Sequence, residues 1–175
     1  MKLSIITVNL NNEIGLEKTL KSVFEKQGGF SNFEQIVVDG GSTDDSVAVI
    51  KKYADQIVFW VSEPDGGIYN AMNKGVSKAT GEYLLFLNSG DWLSDDVLGR
   101  AVPLLNGTDI VYGDQIVHEN GKFSVWIIPG EAELTETFFA RDTLSHPSSF
   151  IKATLLGVLR YDEHYSIIAD QVFFY

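Results

Sequence analysis

Gln35-Ile36-Val37-Val38-Asp39-Gly40-Gly41-Ser42-Thr43-Asp44 is the stretch on which the fold turns. An unbroken apolar run, two of its residues valine, leads straight into an acid and two glycines. Such a run reads as a strand buried on both faces, the habit of parallel sheets. Gly40-Gly41 marks a tight turn. Ser42, three residues before Asp45, makes a capping-box-like start for a helix to about Tyr53. Strand (Glu34 to Asp39), turn and helix follow one another within twenty residues.

The same order recurs on both sides. Leu3 to Val8 is an apolar, β-rich run, and Glu13 to Lys26 reads as a helix with Ile14, Leu16, Leu20, Val23 and Phe24 near a 3.6 period. Gln56 to Ser62 is a third strand. A helix is expected from about Gly67 to Ala79, with Ile68, Ala71, Met72 and Ala79 on one face. Glu82 to Leu87 is a fourth strand, and Leu93 to Leu105 looks helical, limited by Pro103. Strands alternating with helices predict an α/β fold whose mostly parallel central sheet is flanked by helices, with right-handed crossovers. The second half changes style. Asp109 to Tyr112 is a strand, and Asn120-Gly121 is a hairpin turn between two more. Glu133 to Ala140 is a helix candidate, Ser148 to Ile151 a short strand, and Ile167 to Tyr175 an apolar end. No repeat or linker separates the halves, so they are expected to share one sheet and one site.

A chain of 175 residues suits one domain, and 45% hydrophobic with 21% charged residues is an ordinary globular balance. The absence of cysteine excludes disulfides and thiolate metal sites and fits a reducing cytoplasm. A net charge of -11 argues against nucleic acid as a partner, because phosphate binding needs a basic face. The plainest meaning of that acidity is a solvated surface. Met1-Lys2 and the strand-like residues after them do not read as a signal peptide, and no apolar run reaches the length of a membrane span. A soluble, cytoplasmic protein is the expectation, with contact at the inner face of the cell membrane left open.

In open parallel sheets, ligands bind beyond the carboxyl ends of the strands. After the first strand come Asn9, Asn11 and Asn12; after the second, Asp39-Gly40-Gly41-Ser42-Thr43-Asp44. After the third comes Glu63-Pro64-Asp65-Gly66-Gly67, and after the fourth Asn88-Ser89-Gly90-Asp91. Any one of these is an ordinary polar loop; four on one edge form a binding-site pattern. A carboxylate such as Asp39 can accept from a base N–H or a ribose hydroxyl. Gly66 and Gly67 let backbone approach a diphosphate, ahead of a helix N-terminus that favours anions. Lys74 in that helix can reach a phosphate or simply stay solvated. Asp91 is a hard oxygen ligand of the kind magnesium or manganese takes beside a diphosphate. No Gly-x-Gly-x-x-Gly follows the first strand and there is no Walker A motif, which removes the main support for dinucleotide and P-loop readings.

At these residues the chain resembles the family 2 glycosyltransferases, an inverting group with the GT-A fold, over essentially its whole length. Ser4-Ile5-Ile6-Thr7-Val8-Asn9 looks like the family's first strand, which implies that Thr7 and Asn9 lie beside the nucleotide. Val37-Val38-Asp39-Gly40-Gly41-Ser42-Thr43-Asp44 is similar to its second-strand motif, whose first acid contacts the nucleobase. Ser62-Glu63-Pro64-Asp65-Gly66-Gly67-Ile68-Tyr69-Asn70-Ala71-Met72-Asn73-Lys74-Gly75 resembles a subgroup that assembles bacterial surface polysaccharides, and implies nucleotide-binding roles for Asp65, Gly66, Gly67, Asn73 and Lys74. Ala79-Thr80-Gly81-Glu82-Tyr83 and Leu85-Phe86-Leu87 match the lead-in to the family's Asp-x-Asp metal motif. There the chain departs: Asn88-Ser89-Gly90-Asp91 leaves one carboxylate, so a divalent metal (Mg or Mn) would be held by Asp91 and Asn88 with weakened affinity. His146-Pro147-Ser148-Ser149-Phe150 looks like the acceptor-side His segment; the other reading of His146 is a capping histidine. Ala169-Asp170 aligns with the family's Glu-Asp motif, which implies Asp170 as the catalytic base and leaves Ala169 in place of the Glu. Asp114, after Val111-Tyr112-Gly113, is a further acceptor-side candidate, while His118 and His164 read as surface residues.

The resemblance implies an inverting glycosyltransferase of hexosyltransferase type. It would move a sugar from a nucleotide-diphosphate donor, UDP being the family's commonest nucleotide and GDP or dTDP the others, to a glycan or lipid-linked acceptor. Residues 1–91 would form the nucleotide-sugar half and 92–175 the acceptor half of one domain. Family members continue with helices past this point, so an incomplete C-terminus is expected. Two rivals stand beside this reading. A catalytically inactive nucleotide-sugar-binding module would suit the depleted metal motif and Ala169. A sugar-1-phosphate nucleotidyltransferase would need a Gly-rich loop after the first strand, and Asn9-Leu10-Asn11-Asn12 is not one.

Overall fold

The structure, a computed structural model, describes residues 3–130, 135–139, 143–158 and 160–164. Strand β1 (Leu3–Asn9) leads into helix α1 (Glu13–Phe24), β2 (Phe33–Asp39) into α2 (Ser46–Lys52), and β3 (Phe59–Ser62) into α3 (Ile68–Val76). Strand β4 (Tyr83–Phe86) is followed by α4 (Val97–Ala101) and β5 (Ile110–Tyr112). The hairpin β6 (Gln115–Glu119) and β7 (Lys122–Trp126), helix α5 (Glu136–Phe139), strand β8 (Ser149–Lys152) and helix α6 (Ala153–Val158) complete the order. The architecture is the expected one: a mostly parallel α/β sheet with a small antiparallel appendage.

The main sheet has six strands in the order β3-β2-β1-β4-β8-β5. β1 pairs in parallel with β2 and β4, and β2 with β3. β8 runs antiparallel to both β4 and β5, so the second half of the chain extends the first half's sheet. Both faces are buried, which is why the strands read as continuous apolar runs. Ile6, Val8, Ile36, Val38 and Phe86 pack under α3 with Tyr69, Met72, Leu156 and Tyr161. Leu3, Ile5, Tyr83 and Leu85 face the other way with Val23, Leu93 and Leu98, and Val37 packs there with Leu16, Leu20 and Ile50. In the β6–β7 hairpin, Asn120 (φ 50°) and Gly121 (φ 75°) supply the two left-handed residues of a tight turn.

Where element bounds differ from the sequence reading, backbone geometry explains it. The helix expected over Leu93–Leu105 is only Val97–Ala101 followed by a 3-10 turn at Val102–Leu104. Asp96 is left-handed (φ 56°) and blocks an earlier start, and Pro103 lacks the donor needed to continue. β3 starts at Phe59, later than expected, because Ala54–Gln56 form a 3-10 turn. Of the helix expected over Glu133–Ala140, the described part is Glu136–Phe139, and the apolar stretch from Ile167 lies outside the described residues. Among the described residues no helix is long and apolar enough to cross a membrane.

The topology brings the polar strand exits level. Asn9 pairs with Asp39 and Asp39 with Ser62. Tyr112 pairs with Ser149, so β5 ends and β8 begins on that same edge. Strand order reverses between β1 and β4, the kind of switch point at which a crevice opens in α/β sheets.

Candidate active site

Asp39 ends β2 with 0% exposure. Its Oδ1 accepts from the Asn9 amide (2.7 Å) and the Ser42 hydroxyl (2.5 Å), its Oδ2 from the Ser42 N–H (2.9 Å) and the Ser62 hydroxyl (2.6 Å). Burial pushes this carboxyl's pKa up, but the bonds from Ser42, Ser62 and Asn9 outweigh it and hold the group below its ordinary value. The Ser42 hydroxyl also accepts from the Asn11 N–H (2.8 Å), and Asn11 Oδ1 accepts from the Thr43 N–H (2.8 Å). The exits of β1 and β2 are therefore stitched into one ledge. This corrects the capping role expected of Ser42. Its hydroxyl is turned back to Asp39, and the Ser46 N–H at the start of α2 is taken by Asp44 Oδ1 (3.0 Å). A nucleobase would reach the Asp39 carboxylate only by replacing one of these donors.

The third exit presses against the second. A Cβ on Gly40 would stand 2.9 Å from Asp65 Oδ2, and one on Gly41 (φ +82°) 2.9 Å from the Pro64 nitrogen. At Gly41 an added side chain would meet backbone, so glycine there lets the two turns touch. Asp65 Oδ1 accepts from the Gly67 N–H (2.8 Å), and Asn70 Oδ1 accepts from the Gly66 N–H (3.3 Å). Gly67 is the N-cap of α3, so this closed turn leads into the first-turn N–H groups that favour an anion.

Three expected nucleotide-binding residues have partners within the chain. Thr7 is wholly buried two residues short of the edge, its hydroxyl accepting from the Gln35 amide (2.9 Å). The Asn73 amide is spent on another segment: it donates to Tyr161 O (2.9 Å) and Glu163 Oε1 (2.8 Å), and its oxygen accepts from the Tyr161 N–H (3.1 Å). Lys74, in the last turn of α3, forms an ion pair with Glu63 (2.9 Å).

At the fourth exit a tight turn runs from Asn88 to Asp91, closed by the Asp91 N–H to Asn88 O (3.0 Å). Thr19 of α1 supports it, its hydroxyl donating to Asp91 O (2.6 Å) and accepting from the Gly90 N–H (3.0 Å). The Asn12 amide donates to Ser89 O (3.1 Å). Burial pushes the Asp91 carboxyl's pKa up, and no described residue hydrogen-bonds to it. Asn88 Oδ1 is also buried without a hydrogen-bond partner among the described residues. Two hard oxygens lacking partners, one of them a desolvated carboxylate, fit the partial ligand set of a magnesium or manganese ion whose other ligands come from a diphosphate and water. Among the described residues no group of three or more His, Asp or Glu can hold a metal alone.

Asp91 also lines an open cleft of about 960 Å³, with Trp92, Tyr112, Asp114, Phe123 and Ser148 among its walls. Asp114 thus shares the cleft with Asp91, and its Oδ1 accepts from the Ile128 N–H (3.1 Å). His146 stands outside this cleft. It begins a 3-10 turn, 7% exposed, with Nε2 2.7 Å from the Tyr161 hydroxyl and its ring against Phe86. Asp170 and Ala169 lie outside the described residues. Sequence reading passed over Thr19, Tyr161 and Glu163. Each acts across a fold of the chain, as in the 88-residue separation of Asn73 and Tyr161, and no local pattern signals that.

Residues 4–163 match the model of glycosyl transferase family 2. The chain is 36% identical over 178 residues to an uncharacterised glycosyltransferase of Mycobacterium tuberculosis, covering 97% of this chain and 66% of that protein. It is 33% identical over 176 residues to the PGL/p-HBAD biosynthesis glycosyltransferase of Mycobacterium bovis, covering 95% and 66%. The chain therefore spans just under two thirds of the length of these relatives. Among solved structures, TarS 1-349 of S. aureus in complex with UDP superposes with a TM-score of 0.79 at 22% identity, covering 99% of this chain and 54% of that one, a likeness of fold.

Proposed function

Because this chain belongs to glycosyl transferase family 2, we propose that it moves a sugar from a nucleoside-diphosphate donor to a glycan or lipid-linked acceptor, with inversion at the anomeric carbon. The observation that carries the reading is the ledge formed by the exits of β1, β2 and β3, beside the switch point. There the Asp39-Gly40-Gly41 turn abuts Asp65-Gly66-Gly67 directly ahead of α3. Asn9, Asp39 and Ser62 form the nucleoside side and the N-terminus of α3 the diphosphate side. The UDP in the TarS complex favours a uridine nucleotide. On this reading residues 1–91 are the donor half and 92–175 the acceptor half of one cytoplasmic domain.

Each group has a task. The first-turn N–H groups of α3 stabilise charge on the leaving diphosphate. Asp91 and Asn88 would hold a divalent metal ion, which when bound would neutralise diphosphate charge as a Lewis acid. Asp170 takes the proton of the attacking acceptor hydroxyl, and Asp114 lines the acceptor's approach. By analogy with glycoside hydrolysis the transition state has oxocarbenium character. The test is Asp170→Asn with UDP binding and sugar transfer measured together: binding is expected to persist while transfer disappears. Full transfer by that variant removes Asp170 as the base. A wild-type protein that binds nucleoside diphosphates without turnover would instead mark an inactive binding module.

A further inference from the structure

One hydrogen-bond network ties the segment beyond α6 to the start of α3. Glu163 lies beyond α6 and reaches α3 with both carboxylate oxygens: Oε2 accepts from the Asn70 amide (2.8 Å) and Oε1 from the Asn73 amide (2.8 Å). The two asparagines have different tasks. Asn73 is 5% exposed and pairs with both backbone groups of Tyr161, which docks residues 160–164 on the helix. Tyr161 is 3% exposed, meets Tyr69 and Phe86 ring to ring, and its hydroxyl is 2.7 Å from His146 Nε2. Asn70 turns its oxygen to the Gly66 N–H (3.3 Å), within the glycine turn that opens α3. A continuous chain of hydrogen bonds therefore runs from the Gly66 turn through Asn70, Glu163, Asn73 and Tyr161 to His146.

We propose that Glu163 is a positioning residue for the donor diphosphate: by gripping Asn70 and Asn73 together it fixes the Asn70 amide, and so holds the Gly66-Gly67 turn in its binding shape. The inference rests on the donor reading above. The chemistry asks for a carboxylate in particular. Both asparagine NH₂ groups donate to this one side chain, and a glutamate has two acceptor oxygens where a glutamine has one oxygen and an NH₂ that opposes a donor. A turn held in shape before the ligand arrives has less freedom to lose on binding. The same linkage makes docking of residues 160–164 and occupation of the diphosphate turn favour each other, since coupling between two sites is reciprocal.

The experiment is a double-mutant cycle on UDP affinity by calorimetry, using wild type, Glu163→Gln, Asn70→Ala and the double variant. Hydrogen exchange at the Tyr161 amide, with and without UDP, is the second readout. Each single change is expected to weaken UDP binding roughly three- to tenfold, and the double change no more than the worse single, because the two residues act through one contact. UDP is expected to slow Tyr161 exchange in the wild type and not in Glu163→Gln. A merely structural role would lower the melting temperature without uncoupling UDP from that amide. Additive losses, or wild-type UDP affinity in Glu163→Gln, overturn the inference and leave the donor reading standing. A wild-type protein that binds no nucleoside diphosphate overturns the donor reading, and the inference with it.

Discussion

Asn9 donates its side-chain amide to the Asp39 carboxylate at 2.7 Å, joining the ends of two parallel strands in a position almost closed to solvent. The carboxylate also takes Ser42 and Ser62, so every group around it is a donor. Asp39→Asn puts an NH₂ among those donors. It is expected to cost about 2–4 kcal/mol of stability, the scale of a buried hydrogen-bond network broken from one side. Urea unfolding at neutral pH measures it. A change within ~0.5 kcal/mol, the level of an ordinary surface substitution, would refute the view of Asp39 as the pin of the ledge.

Glu34 plays the matching part at the amino edge. It is 2% exposed, and its carboxylate accepts from the Ser4 hydroxyl (2.5 Å) and the Thr80 N–H (2.5 Å). Burial raises its pKa, yet the bonds from Ser4, Thr80 and Gly81 prevail and lower it, as their counterparts do at Asp39. A carboxyl whose folded pKa lies below its unfolded one adds stability above the unfolded pKa and loses it as pH falls through the folded one. Stability should therefore drop as pH goes below about 4, the ordinary carboxyl range. Glu34→Gln should be less stable than wild type at pH 7 and lose less on acidification. Parallel unfolding curves down to acid pH would contradict this.

The strands and their exits were legible in the sequence because short β-rich apolar runs between polar exits read as strands buried on both faces, and because the glycine pairs at 40–41 and 66–67 mark turns. The antiparallel return of β8 between β4 and β5 was not legible, since strand order is set by pairing across the chain. Ser42 illustrates a second limit. The capping spacing was present, but α2 begins only at Ser46, and the Ser42 hydroxyl serves the strand exits instead, donating to Asp39 and accepting from the Asn11 N–H. The partners of Asn73 and Thr7 show a third, because a hydrogen bond to a residue distant in the chain leaves no local pattern.

Gly75 shows how closely α3 lies on the sheet. A Cβ there would fall 2.4 Å from Ile6 Cγ2, in the middle of β1. Gly75→Ala is helix-compatible and would gain in propensity, yet it must push α3 off the strand. The overlap is expected to win and cost about 1–3 kcal/mol, as overpacking does. Because α3 carries the proposed diphosphate turn at its other end, UDP affinity should fall as well. Thermal unfolding and UDP titration of this one variant test both effects, and a stabilised protein would refute the close approach.

Asp91 reverses the sign of the other two acids. Its pKa is raised, burial being the sole cause, and no described residue bonds its carboxylate. The charged form is therefore disfavoured by folding at neutral pH, a cost that vanishes as pH falls through the raised folded value. Asp91→Asn keeps the shape and removes the charge, so it is expected to be more stable at pH 7, by about 1 kcal/mol, with the gain shrinking toward acid pH. The same variant should lose whatever tightening manganese gives to UDP binding, because Asn88 and an amide at 91 leave no carboxylate in the turn. Melting curves across pH, with UDP titrations in manganese and in chelator, separate the outcomes. A variant less stable than wild type, or one with its manganese dependence intact, would show that this carboxylate is structural. A more stable protein that no longer responds to manganese is what a residue kept for function at the expense of the fold should give.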